Sequence, residues 1–232
     1  MIELKNNADG AELNIFGEIG ESWWGDTVSF KDFIEQLDQY KNTPLTINID
    51  SPGGSVWDGN SIANSIKNRT AKTTCNIYSL CASIATQIAL ACDEVNMYSN
   101  SLFMIHLASA GVYGNKIELQ KTVDLLDKMD NILADTYINK TGIEKEEMLQ
   151  LMEDETWFDA YEAKDKGFID NILDAQDMVA MYDPENIKQF KYNKVPYDKL
   201  KNIKNIKDVK KQEQDDRMLD IDAELIKIQF GL

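Results

Sequence analysis

The sequence predicts an α/β fold, and three observations carry that expectation. Residues 45–50, Leu-Thr-Ile-Asn-Ile-Asp, alternate apolar and polar side chains with the two-residue period of a half-buried strand. Ser51-Pro-Gly-Gly54 ends the strand, and Val56, Ile62, Ala63 and Ile66 then recur at helical spacing. The pattern repeats at once: residues 73–78 are strand-like, 79–82 read as a turn, and 84–92 form an apolar run suited to a buried helix. Such strand–turn–helix units assemble through right-handed crossovers.

The later elements follow in order. Residues 95–98 and 102–105 read as two short strands separated by the polar turn Ser99-Asn-Ser101. After a glycine-bearing loop at 108–115, a long helix is predicted from Lys116 to Lys140, with Leu119, Val123, Leu126, Leu133 and Tyr137 as its apolar stripe and Gly142 as its stop. Asp159 caps a last short helix ending at Gly167, followed by Phe168-Ile-Asp170. Past Leu173 the periodicity degrades. The expected organisation is a domain over 1–173 and a charged extension over 174–232, whose residues 216–228 can form an amphipathic helix.

Composition narrows the function classes. A chain of 232 residues can bury one substantial core. Its net charge of −16 argues against general binding to nucleic acid or anionic membranes, which requires clustered cations. The imbalance is uneven: residues 188–211 hold nine Lys against Asp198 and Asp208, net +7, so the remainder is net −23. Cys75, Cys81 and Cys92 cannot all pair within the chain and lack metal-like spacing, which fits reduced thiols in a cytoplasm. The first residues carry no apolar signal core, and no window is apolar enough to span a bilayer.

Three features can carry chemistry. Ser83 stands where a strand meets an apolar helix, and the free N–H groups of a helix start favour an attacking oxygen and the oxyanion it creates, although a serine there is more often a cap. Gly53-Gly54 lets backbone N–H groups approach a ligand closely, although the motif is more often a plain turn. His106 is the single histidine, so any imidazole acid–base chemistry at neutral pH falls on it.

Taken together and in order, Ser51-Pro-Gly-Gly54, Ala82-Ser83 and Met104-Ile-His106 resemble the Clp protease proteolytic subunit family. The likeness extends to Trp157-Phe-Asp-Ala160, Glu162-Ala163 and Gly167-Phe-Ile-Asp170, and covers residues 11–173. It implies a Clp-protease/crotonase-like fold with a protruding handle helix, and a serine endopeptidase acting on polypeptides inside a homo-oligomeric ring without cofactor or metal. Ser83 matches the nucleophile and His106 the general base, whose acid limb is expected near the ordinary histidine value of about 6.5. The N–H groups of Gly54 and Ile84 match the oxyanion hole. Ser55 and Val56 on one side and Leu107 on the other match the edges that hold an extended peptide. The family's usual aspartate position falls on Glu155, with Asp154 as the neighbouring alternative.

Within the family, residues 16–26 and Glu155-Thr-Trp-Phe158 look like the phage and prophage head-maturation branch, which processes capsid or scaffold proteins. The matched region starts close to the first strand, leaving little for the axial loops that engage an unfoldase, and the family's proline after the histidine is absent. A general Clp-type peptidase working with an unfoldase, and a non-catalytic ring or assembly subunit, remain alternatives. Crotonase-type acyl-CoA chemistry is disfavoured because it needs no Ser/His pair. The basic extension is expected to lie outside the catalytic core, docking on its own ring or guiding the enzyme to a capsid.

Overall fold

The computed structural model of the protein describes residues 2–7, 10–20, 27–37, 40, 42–174, 179–180, 192–196 and 204–205. The chain begins with β1 (Ile2–Asn7), β2 (Gly10–Phe16), β3 (Glu18–Ile19), β4 (Thr27–Val28) and α1 (Phe30–Leu37). The two predicted units follow as β5 (Leu45–Ser51), α2 (Val56–Lys67), β6 (Thr73–Ala82) and α3 (Ile84–Ala89). Then come β7 (Glu94–Tyr98), β8 (Leu102–Ile105), α4 (Lys116–Thr141), α5 (Lys145–Glu153), β9 (Thr156–Asp159), α6 (Ala160–Asp165) and β10 (Asn171–Leu173). The extension contributes β11 (Val179–Ala180) and β12 (Lys204–Asn205), paired in parallel. The predicted helix over 216–228 and most of the basic stretch lie outside the described residues.

The main sheet has the order β1-β2-β5-β6-β7-β10, parallel from β2 to β10, with β1 antiparallel at one edge. Residues 79–82, predicted as a turn, instead continue β6. Its first half pairs with β7 through residues 74–77, and its second half pairs with β8 through Leu80, Cys81 and Ala82. The four residues extend the strand because each is satisfied there: Leu80, Cys81 and Ala82 are buried, and the Ser79 hydroxyl donates to the buried Asp50 carboxylate.

The two sheet faces differ in chemistry. Leu13, Ile15, Ile47, Ile49, Ile77, Val95 and Met97 are fully buried in the core, as period-two alternation requires. The opposite face carries an asparagine ladder. Asn14, Asn48, Asn76, Asn96 and Asn171 stand in register on five adjacent strands. Each side-chain amide in the chain from Asn171 to Asn48 donates to the next carbonyl, ending on Asn14 and Glu12. Gly59 of α2 allows close approach to α3, since a Cβ there would lie 2.2 Å from Ile84 Cγ1.

The long helix α4 starts where the pattern places it, with a capping box between Asn115 and Glu118, and ends at Gly142 in the left-handed conformation (φ 73°). Leu133 and Tyr137 are buried as expected. Leu119 and Val123 are not: they remain 42% and 49% exposed, because the first half of the helix projects beyond the sheet. Its base is pinned to α3 by Thr86 Oγ1 against Tyr137 Oη (2.7 Å) and by Gln87 Nε2 donating to Leu133 O (3.2 Å).

Candidate active site

Three neighbouring strand ends bring the site together. Ala82 lies opposite Met104 on β8, and Met104 lies opposite Trp157 on β9. Ser83, one residue past β6, therefore sits beside His106, one residue past β8, and Glu155 just precedes β9 on the far side of the histidine. The His106 Nε2–Ser83 Oγ separation is 2.7 Å.

The backbone at this point is strained. Ser83 has φ 55° and Glu155 φ 50°, and they are the two non-glycine residues with positive φ among the described residues. Such conformations cost of order 1–3 kcal/mol each and persist only where the surroundings impose them. At Ser83 the imposing groups are the N–H bond to Met104 O (2.9 Å) on one side and α3 on the other, with Thr86 N–H and Oγ1 both bonded to Ser83 O. The strain lifts the hydroxyl off the end of the strand at the start of the helix.

The glycine loop faces it. Ser51 Oγ donates to Gly17 O (2.6 Å) and accepts from Gly53 N–H (3.1 Å), which fixes the turn. Ile19 N–H donates to Gly53 O and Ser55 N–H to Ile19 O, so the Gly54 N–H itself stays outside that ladder. A Cβ on Gly53 would lie 2.7 Å from Ser83 Cβ and 3.3 Å from Ile84 N. Only glycine at position 53 thus lets the loop reach Ser83 and the start of α3.

The edges predicted to hold peptide are partly engaged. Ser55 caps α2, with its hydroxyl donating to Asp58 (2.7 Å), and Val56 begins that helix. Leu107 N–H donates to Met152 O (3.2 Å) and Ala108 N–H to Asp130 Oδ1 (2.6 Å), which ties the segment after His106 to α5 and α4. Asp130 has no sequence signal, because it acts on a backbone group 22 residues away.

Electrostatics separate the two candidate acids. Burial lowers the His106 pKa below its ordinary value, and the Glu155 charge only partly opposes this. Glu155 is itself buried. Burial pushes its carboxyl up, but the N–H groups of Asn193 and Lys194, the Trp157 indole and the Asn193 amide outweigh that and hold it below the ordinary range. Asp154 is exposed, held low by Gln150 and Lys194, and sits on the turn after α5. Residues 192–196, placed by the sequence reading in an extension clear of this region, lie against it.

The sequence profile of the family described as Clp protease matches residues 26–176. The chain belongs to the Clp protease family. It is 31% identical over 134 residues to the ATP-dependent Clp protease proteolytic subunit 1 of Chlamydia abortus, covering 56% of this chain and 70% of that protein. The proteolytic subunit of Leuconostoc citreum is 31% identical over 165 residues, 68% of this chain and 80% of its own. A solved ClpP1 point mutant of Listeria monocytogenes shares the fold with a TM-score of 0.57 at 24% identity, covering 72% of this chain and 92% of that one. Family membership makes the chain a Clp-type serine peptidase.

Proposed function

We propose that the chain is an endopeptidase whose Ser83, His106 and Glu155 act as a catalytic triad within a homo-oligomeric ring, processing phage capsid or scaffold proteins in a bacterial cytoplasm. The observation that carries this reading is the 2.7 Å Ser83–His106 contact at a strained strand-to-helix elbow. Neutral His106 takes the Ser83 proton through Nε2 as the hydroxyl attacks the scissile carbonyl. The Gly54 and Ile84 N–H groups receive the oxyanion, and His106 returns the proton to the leaving amine. In this mechanism Glu155 turns to accept from His106 Nδ1–H, a bond the present arrangement does not contain, and stabilises the imidazolium.

The ring rests on α4, whose projecting face leaves Ile117, Leu119, Val123, Leu125 and Ile132 exposed and in need of an apolar partner. The capsid-processing assignment rests on the resemblance of Glu155-Thr-Trp-Phe158 and residues 16–26, of which 21–26 lie outside the described residues. The relatives named as ATP-dependent proteolytic subunits favour a second reading, a general peptidase fed by an unfoldase. The test is a fluorophosphonate: the expected result is one adduct, mapped by mass spectrometry to Ser83, on a species that sediments as a ring. Labelling elsewhere, or of a monomer alone, refutes the proposal.

Two further outcomes are expected. The base must be neutral to act, and burial holds the His106 pKa below its ordinary value, so activity persists below about pH 6.5 and fails only at more acid pH. A pH–rate profile with its acid midpoint above 6.5 contradicts this. Glu155→Ala should lower kcat/KM by roughly tenfold or more through loss of the orienting acid, while Asp154→Ala stays within about threefold. The opposite order, measured on a fluorogenic peptide, moves the acid role to Asp154.

A further inference from the structure

Residues 192–196 cross the site. Glu155 Oε1 accepts from the Trp157 indole N–H (3.2 Å) and Lys194 N–H (2.7 Å), and Oε2 accepts from Asn193 N–H (2.8 Å) and its side-chain amide (3.1 Å). One carboxylate thus receives four donors, three of them from this segment. Among the described residues no hydrogen bond joins Glu155 to His106, whose Nε2 faces Ser83.

The same segment covers the histidine. The Tyr192 ring meets His106 edge-on at 5.2 Å and Trp157 edge-on at 5.9 Å, and its hydroxyl donates to Pro52 O beside the glycine loop. Tyr192 therefore bridges from the imidazole to the loop that carries Gly54. Tyr192 and Val195 pack on the apolar patch of Leu80, Ala82, Leu102, Met104 and Trp157, and the Lys194 ammonium reaches the Asp154 carbonyl and carboxylate.

We propose that residues 192–196 are a strap that seats in the chain's own active site, holds Glu155 away from His106 and keeps the enzyme latent until it is released. This rests on the triad reading above. The strap is not held as a substrate would be. Its N–H groups bond to a side-chain carboxylate, and among the described residues it forms no ladder with the glycine loop or with the segment after His106. It withdraws the acid and covers the base without presenting a scissile bond, so it stays intact when seated.

The strap lies outside the main sheet, so it can be altered in the full-length protein without touching the triad. Tyr192→Ala removes the cover over His106. Lys194→Pro deletes the N–H that donates to Glu155, whereas Lys194→Ala keeps that N–H and loses only the exposed ammonium contact. Each variant is compared with the wild type for the rate of Ser83 modification by a fluorophosphonate and for kcat/KM on a short fluorogenic peptide. Circular dichroism and sedimentation confirm an unchanged fold and assembly.

Tyr192→Ala and Lys194→Pro should each raise both rates about tenfold, the factor by which a strap seated roughly nine-tenths of the time lowers apparent reactivity. Lys194→Ala should raise them less. Equal or slower rates in both Tyr192→Ala and Lys194→Pro overturn the strap, the slower result making the segment a support for Glu155. Absence of a Ser83 adduct in every form, wild type included, overturns the triad reading and the strap with it.

Discussion

Ser83→Ala abolishes peptide hydrolysis, with a loss of roughly 10⁴ to 10⁶ in kcat, while the protein folds and assembles as before. On the proposed triad the loss is that large because the covalent route ends with the hydroxyl: His106 has no other proton to take at 2.7 Å, and the oxyanion donors have no tetrahedral centre to receive. Stability is spared for a separate reason. Ser83 Oγ makes no capping bond to α3, and the hydrogen bonds that hold the elbow involve the Ser83 backbone, which alanine keeps. The φ of 55° is no easier for alanine, so the strain is unchanged. Thermal unfolding and sedimentation of the variant, set beside peptide turnover, check the separation. Near-normal turnover by purified Ser83→Ala would place the nucleophile elsewhere.

Gly54→Ala has the next largest effect and works through backbone position. Gly54 has φ 143°, and a Cβ there would meet Ile19 O at 2.1 Å, Ile19 N at 2.9 Å and Ile19 C at 3.0 Å. None of these atoms belongs to a flexible side chain, so either the loop or the β3 backbone must move. In the proposed mechanism, that displacement takes the Gly54 N–H away from the oxyanion. Loss of one such donor lowers kcat by about 10² to 10³, and a broken Ile19 bridge adds local destabilisation. Gly111→Ala is the control, since a Cβ there meets nothing within 4 Å. Comparison of kcat for the two variants decides the matter, and a Gly54→Ala enzyme with wild-type kcat removes this N–H from the mechanism.

Much of the fold was legible in the sequence because periodicity and turn chemistry are local. The alternation at 45–50, the glycine break at 51–54 and the apolar helix from 84 onward correspond to β5, its turn and α3. The predicted stop Gly142 and the predicted cap Asp159 correspond to the end of α4 and the start of α6. Residues 79–82 misled because Ser79 looks like a turn residue until Asp50, 29 residues away, supplies the buried acceptor that keeps it in a strand. The asparagine ladder was equally hidden, since five asparagines spaced irregularly along the chain become neighbours only through strand register.

For the site, the sequence by itself determined which groups are available: one histidine, one serine at a strand-to-helix junction and a glycine pair after another strand. These are properties of residue identity and short-range order, so they need no third dimension. Tertiary structure alone decided that β6, β8 and β9 stand side by side, and hence that Ser83 meets His106 with Glu155 at the start of the neighbouring strand. It also gave Ser83 and Glu155 their positive φ, burial to His106, and the Asn193 and Lys194 donors to Glu155. Each of these depends on contacts between residues distant in the sequence or on exclusion of water, and neither is written in any local pattern of side chains.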